Sequence, residues 1–301
     1  MNQIEEYEER KKLRRSRFRW RILAVLALLI AGGMALAQIQ PERGPHIARF
    51  DLEGVIASDA DRTKVLRKIA ENKTVEALVV RINSPGGTVT GSEELYDVLR
   101  EVAANKPVVA TMGDVAASGG YITALAADRI FAMSNTITGS VGVVFQVPNF
   151  HELMDRVGVQ MVEIKSGDLK AEPTPFKPVN PQIIEAERAL VEDSFDWFVD
   201  LVRARRDIGE NAMAEIMRGG VFTGRMALER GLVDALGGIE AAQEWLENEH
   251  GLSADLDVVT YEVAEERALP FDFLLGDAGT ATLDALGLGG HLKAGLWAIY
   301  R

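Results

Sequence analysis

Apolar and charged residues change rhythm along this chain. From residue 22 to 40 no side chain is charged: ILAVLALLIAGGMALAQIQ. As a helix rising about 1.5 Å per residue, this run would be about 28 Å long, close to the hydrocarbon thickness of a bilayer. After a linker at 41–45, short apolar runs alternate with amphipathic stretches. Residues 46–56 predict a strand with a turn at Gly54, or a strand pair, and residues 62–72 a helix. ALVVRI at 77–82 predicts a buried strand, ended by Asn83, Ser84, Pro85, Gly86 and Gly87. A helix is expected over 92–104, with Leu95, Val98 and Val102 on one face, then a strand at 107–112, a helix at 118–127 and strands at 129–132 and 159–164. A long helix over 181–206 and shorter ones near 213–217, 226–230 and 239–249 follow, punctuated by Gly219-Gly220 and Gly237-Gly238. Such alternation implies an α/β domain, here 46–250, built on a parallel sheet. The extension 251–301 contains the apolar, glycine-rich LGLGGHLKAGLWAIY; it reads as an oligomer contact, a membrane-surface contact or a loose tail.

The flank of the first apolar run assigns it a direction. Residues 1–21 hold eight Lys/Arg against four Glu, seven of the basic residues within KKLRRSRFRWR. A basic cluster beside an apolar span stays on the cytoplasmic side, so the chain after Gln40 is expected across the membrane. A cleaved signal peptide is the competing reading, since Ala35-Leu36-Ala37 fits a small-residue cleavage site. The long basic segment before the span favours an uncleaved anchor. A core helix is disfavoured by the breaks at Pro41 and Gly44-Pro45.

Composition narrows the chemistry. The 301 residues are 47% hydrophobic and 26% charged, with net charge −12. Outside the basic segment, 25 Lys/Arg face 41 Asp/Glu, a balance unsuited to binding nucleic acid. No cysteine is present, which removes thiol catalysis, disulfides and cysteine zinc sites. His46, His151, His250 and His291 are scattered without metal spacing and read as structural.

Two glycine pairs, Gly86-Gly87 and Gly119-Gly120, stand where strands pass into helices, and Ser118 precedes the second. Helix N-termini expose unpaired N–H groups, and glycine lets another backbone approach them. Two such groups aimed at one point form an oxyanion hole. A serine nucleophile also needs a base. No GxSxG elbow is present and no histidine stands in a triad context, which leaves lysine. A free lysine, with pKa about 10.4, must be shifted down by burial to serve. Lys64, Lys68 and Lys73 fall on a polar helix; Lys165 and Lys170 fall in the loop-like EIKSGDLKAEPTPF, and on these grounds either of the two qualifies.

In order and spacing, RINSPGG (81–87), GDVAASGGY (113–121), TGSVGVV (138–144), IKSGDLK (164–170) and GVFTGRMALERGLVDALGG (220–238) resemble the signal peptide peptidases of the SppA type, the S49 serine peptidases. The resemblance covers roughly 46–250 and is to the short, single-unit form. It implies a ClpP/crotonase-like core of repeated β-β-α units behind one N-terminal transmembrane helix, and a Ser-Lys dyad needing neither metal nor nucleotide. Carried over by position, the nucleophile is Ser118, the base Lys170, the residue orienting the base Ser140, and the oxyanion donors the N–H groups of Gly87 and Gly119. Gly231 would cap a helix, with Leu232 and Val233 entering the core. AEPTPFKP after Lys170 is richer in proline than that family leads one to expect. The resemblance further implies a homo-oligomeric ring whose sites are shared between protomers, so that an isolated monomer is inactive.

The expected activity is a membrane-anchored endopeptidase acting on peptides, signal-peptide remnants especially. It would sit in the bacterial inner membrane as a single-pass protein, with its catalytic domain on the extracytoplasmic side. A SohB- or NfeD-linked-type protease acting on proteins, a crotonase-like acyl-CoA enzyme and a catalytically silent scaffold are the alternatives. An N-terminal epitope tag is expected to remain with the mature protein in isolated membranes by immunoblot; its disappearance would mean that the leader is removed.

Overall fold

The computed structural model describes residues 44–263, together with residues 20–22 and 24–25, which are helical. The chain divides into Met1–Gly44 and Pro45–Arg301, and the fold lies in the second part. Among the described residues no helix is long and apolar enough to cross a membrane. The expected anchor at 22–40 falls largely outside them, as does 264–301 of the extension.

Strand β1 (His46–Glu53) leads through α1 (Ala60–Glu71) to β2 (Val75–Ser84), and α2 (Val89–Ala103) leads to β3 (Val108–Ala117). Helix α3 (Gly119–Leu125) then passes into β4 (Arg129–Ala132) and β5 (Ile137–Gly139). The units up to β4 are single β-α steps; β4 and β5 followed by α4 (His151–Val157) make a β-β-α unit. Side chains start α1 and α2. Asp59 accepts from the Asp61 and Arg62 amides, each at 3.0 Å, and Thr88 accepts from Gly91 N at 3.1 Å. These N-caps satisfy donors that a helix start leaves open.

One eight-stranded sheet runs β6-β5-β3-β2-β1-β8, with β4 on β3 and β7 on β4; here β6 is Val221–Thr223, β7 Ala235–Leu236 and β8 Val258–Tyr261. All pairings are parallel except β5 with β6. The middle of β2 is buried on both faces, as its unbroken ALVV run demands. One face packs α1, α2, α3 and the end of α5 (Pro181–Arg205) around Leu66, Leu99, Leu125 and Phe198, with Met213 and Ile216 of α6 (Glu210–Ile216) in the same cluster. The other is covered by α8 (Ile239–His250), through Ala242 and Leu246 against Val79, Val109 and Phe131.

Strand β3 shapes the site. It pairs with β4 from Val109 to Met112, then leaves it and pairs with β5 from Val115 to Ala117. The strand expected to end at residue 112 therefore continues to Ala117, and its last residue adjoins Ser118. Immediately beyond, Tyr121 is fully buried and its hydroxyl donates to Leu232 O at 2.9 Å, tying α3 to the segment after α7 (Gly224–Glu229). Burial holds the Tyr121 phenol neutral, well above the usual tyrosine range. Gly231 has φ +76°, as a helix-ending glycine should, and Leu232 and Val233 are buried.

The expected strand at 159–164 is not formed: that stretch is irregular, and Val162 and Ile164 are 84% and 99% exposed. No strand among the described residues lies alongside to take up its backbone groups, so apolar content alone does not make it extended sheet. Tyr121→Phe should destabilise the fold by about 1–3 kcal/mol, because the Leu232 carbonyl loses its buried donor. The denaturant midpoint measures this; an unchanged midpoint would contradict the assigned role.

Candidate active site

Ser118 stands between the end of β3 and the start of α3 with φ 53° and ψ −119°, a conformation that glycine adopts freely and L-residues at a cost. Its N–H donates to Gly139 O at 2.9 Å, and its carbonyl accepts from Tyr121 N at 2.8 Å and Ile122 N at 3.0 Å. Both sides of the residue are thus fastened, and strain of about 1–3 kcal/mol is retained. The residue is half-buried and opens on a cavity of about 100 Å³.

The two glycine pairs do meet. A methyl on Gly86 (φ +105°) would lie 2.8 Å from Gly119 N and 2.9 Å from Ser118 Cβ. One on Gly119 would lie 3.2 Å from Gly87 N and 2.2 Å from Ser92 Oγ. Gly87 itself has no room for a side chain, since a methyl there would overlap Ile56 O at 1.8 Å. The neighbouring amides are used: Gly86 N donates to Ser84 Oγ at 3.1 Å and Thr88 N to Ile56 O at 2.8 Å. Among the described residues the N–H groups of Gly87 and Gly119 have no acceptor, and both residues line the cavity. That arrangement can stabilise the negative charge that develops on a carbonyl oxygen when the serine attacks its carbon.

Ser140 follows β5 as Ser118 follows β3. Register pairs Ala117 with Gly139, which puts the two serines side by side at the exits of adjacent strands. Ser140 also has positive φ (52°), and its N–H donates to Gly220 O at 2.8 Å.

The two candidate lysines behave differently. The Lys165 amine is bound by both Glu163 and Glu172, and these carboxylates hold its pKa above the ordinary lysine value. That is the opposite of what a base requires. Lys170 makes no ion pair among the described residues, but it is exposed and lies off the wall of the Ser118 cavity. The cavity thus gathers the serine and the two amides, and neither Lys165 nor Lys170 lines it.

Part of the cavity wall was not legible in the sequence. Ser92 of α2, which stands against Gly119, and Ser194 and Trp197 on one face of α5 also line it. The i, i+3 spacing of Ser194 and Trp197 shows that they share a helix face, but only the fold turns that face toward Ser118.

The sequence profile of peptidase family S49 matches residues 100–253, just over half of the chain and the part that begins in α2 and contains Ser118. The chain belongs to peptidase family S49. It is a serine peptidase, and its mixed α/β fold is ClpP-like: the Clp protease profile matches residues 57–138. A candidate protease of Synechocystis sp. is 40% identical over 251 residues, covering 82% of this chain and 90% of that protein. A candidate signal peptide peptidase SppA of Enterococcus faecium is 34% identical over 198 residues (65% of this chain, 57% of that protein). Protease 4 of Haemophilus influenzae is 33% identical over 218 residues, 67% of this chain but 35% of the longer protein.

Two substitutions probe the strained turn. Ser118→Gly should be more stable than Ser118→Ala by about 1 kcal/mol in denaturant unfolding, because only glycine relaxes at positive φ. Equal stabilities would mean that the turn is not strained. Gly119→Ala should lower kcat by about 10²–10³-fold, since the methyl must displace Ser92 or the Gly87 amide; a kcat near wild type would remove the oxyanion assignment.

Proposed function

We propose that this S49 peptidase is a membrane-anchored endopeptidase working through a Ser118–Lys170 dyad. Its substrates would be peptides at or near the membrane, remnant signal peptides in particular. The observation that carries the reading is the pairing of an accessible, strained Ser118 with two unengaged amides, those of Gly87 and Gly119.

The neutral amine of Lys170 takes the proton of the Ser118 hydroxyl as its oxygen attacks the scissile carbonyl. The oxyanion is held by the N–H groups of Gly87 and Gly119. On collapse, the Lys170 ammonium returns the proton to the leaving amine, giving an acyl-enzyme at Ser118. Water, deprotonated by the same amine, then releases the acid. Ser140 accepts a hydrogen bond from the amine and orients it without adding charge. Support for Lys170 over Lys165 comes from the two carboxylates that occupy Lys165.

Lys170 is exposed and does not line the cavity of Ser118, which suits a base delivered to a neighbouring protomer. We therefore read the active form as a homo-oligomeric ring. The uncharged run at 22–40 and its basic flank support an anchor with the peptidase domain on the extracytoplasmic side of a bacterial inner membrane. The name carried by the Enterococcus faecium relative supports the choice of substrate.

Ser118→Ala and Lys170→Ala should each abolish cleavage of a fluorogenic peptide by the assembled protein. A fluorophosphonate should label the parent chain at Ser118, as peptide mapping would show. Cleavage persisting after either substitution rules out the dyad.

A further inference from the structure

The loop that carries Lys170 leaves the chain at Lys165 and returns at Glu172, and these two side chains meet across its neck. The Lys165 amine also reaches Glu163 Oε2 at 2.8 Å, and Lys177 Nζ donates to that same oxygen at 2.6 Å. The second oxygen of Glu172 accepts from Thr174 N at 2.9 Å, so both of its oxygens are engaged. Around Lys170 itself the backbone is turned, not extended: Lys170 N donates to Gly167 O at 3.1 Å and Glu172 N to Leu169 O at 3.3 Å. The residue between them, Ala171, has φ 59°, left-handed and non-glycine. Such a conformation persists only where its surroundings over-determine it.

We propose that the Glu163–Lys165–Glu172–Lys177 network is a clasp that positions Lys170 for catalysis, an inference that rests on the dyad reading above. Three features favour a positioning device over an incidental surface pair. The first is shelter. The side chains of Lys165, Glu163 and Glu172 are 17%, 19% and 9% exposed and that of Lys177 39%, on a segment whose apolar residues stand largely in solvent. The second is charge balance. Two cations face two anions within the clasp, and Asp168 is the one carboxylate of the loop that stands outside it. The third is connection. Asn149 Nδ2 donates to Lys177 O at 2.8 Å and Phe150 N to Pro175 O at 2.7 Å, which fasten the returning strand of the loop to the start of α4. The proline-rich run after Lys170 is therefore the return limb of the clasp.

The protonation states suit the task. Hydrogen bonds from Lys165 hold the carboxyls of Glu163 and Glu172 below the usual range, and the two carboxylates hold Lys165 above its own. The carboxylates' contribution is lost only as pH falls through their lowered pKa values, and that of Lys165 only as pH rises through its raised one. The clasp thus stays closed between the lowered carboxyl pKa values and the raised one of Lys165.

Purified full-length protein assayed on a fluorogenic peptide tests this. Lys165→Met and Glu172→Gln should lower kcat by about ten- to a hundredfold, because a displacement on the order of 1 Å suffices. KM should move by no more than about twofold, since the peptide-binding surface is untouched. Lys165→Arg, which keeps the cation, should retain most of kcat. Wild-type kcat in both Lys165→Met and Glu172→Gln, in a protein that Lys170→Ala inactivates, overturns the clasp and leaves the dyad standing. The clasp is equally overturned if KM alone rises, or if Lys165→Arg loses as much kcat as Lys165→Met. Activity surviving Lys170→Ala removes the dyad and the clasp with it. Should Lys165→Met fail to fold, Glu172→Gln, nearly identical in shape, decides the matter alone.

Discussion

At the exit of β3 the chain turns through a left-handed conformation at Ser118, and three backbone hydrogen bonds keep it there. Its N–H is bound to β5, and its carbonyl takes the first turn of α3. A serine so fastened cannot follow its strand or join its helix, and it is held at the surface of the cavity. The rest of the site follows from that turn. Gly86 must lack a side chain because Ser118 Cβ and the Gly119 amide occupy the space, and Gly87 must lack one because Ile56 does. The two open amides are a consequence of packing two backbones this closely around one fastened residue.

The supporting structure is correspondingly deep. Strand β3 is central, changes partners from β4 to β5 just before the site, and is flanked on its other edge by the doubly covered β2. Tyr121, three residues past the serine, is anchored within the same core cluster through Leu232. The serine and its amides therefore rest on the most buried part of the molecule. The segment from Val143 to the start of α5 is of another kind. It exposes Val144, Phe145, Val162, Ile164 and Leu169, and its order comes from turns and ion pairs in place of a core. On the proposed mechanism, the buried part would carry the nucleophile and the clasped part the base, the two meeting between copies of the chain.

Much of the sheet was legible from sequence because buried parallel strands announce themselves. ALVVRI and the strand at 129–132 were read with nearly their observed bounds, and so was the long helix, whose start carries Asn180 and Pro181 as cap and first residue. The short strands β5, β6, β7 and β8 have no counterpart in the sequence reading; at two to four residues each they carry no clear periodicity, and β8 falls in the stretch 251–301 read as an extension. The stretch at 159–164 misled for the converse reason, being apolar but without a strand to pair with. At the site, the glycine pairs and Ser118 stood out by residue type, because close backbone approach tolerates little else. Choosing between Lys165 and Lys170 required either a family likeness or the coordinates, since the carboxylates that occupy Lys165 come from both sides of it in the chain. Ser194 and Trp197 lie far along the chain from Ser118, and no local pattern could link them to it.

The most direct test is an experimental structure of the assembled protein with a phosphonate bonded to Ser118. The phosphonyl oxygen is expected about 2.7–3.1 Å from the amide nitrogens of Gly87 and Gly119, with a Lys170 amine from the same or an adjoining chain at hydrogen-bond distance from the serine oxygen. An oxygen turned away from those amides, or an assembly in which every Lys170 stays remote from every Ser118, would contradict the dyad mechanism.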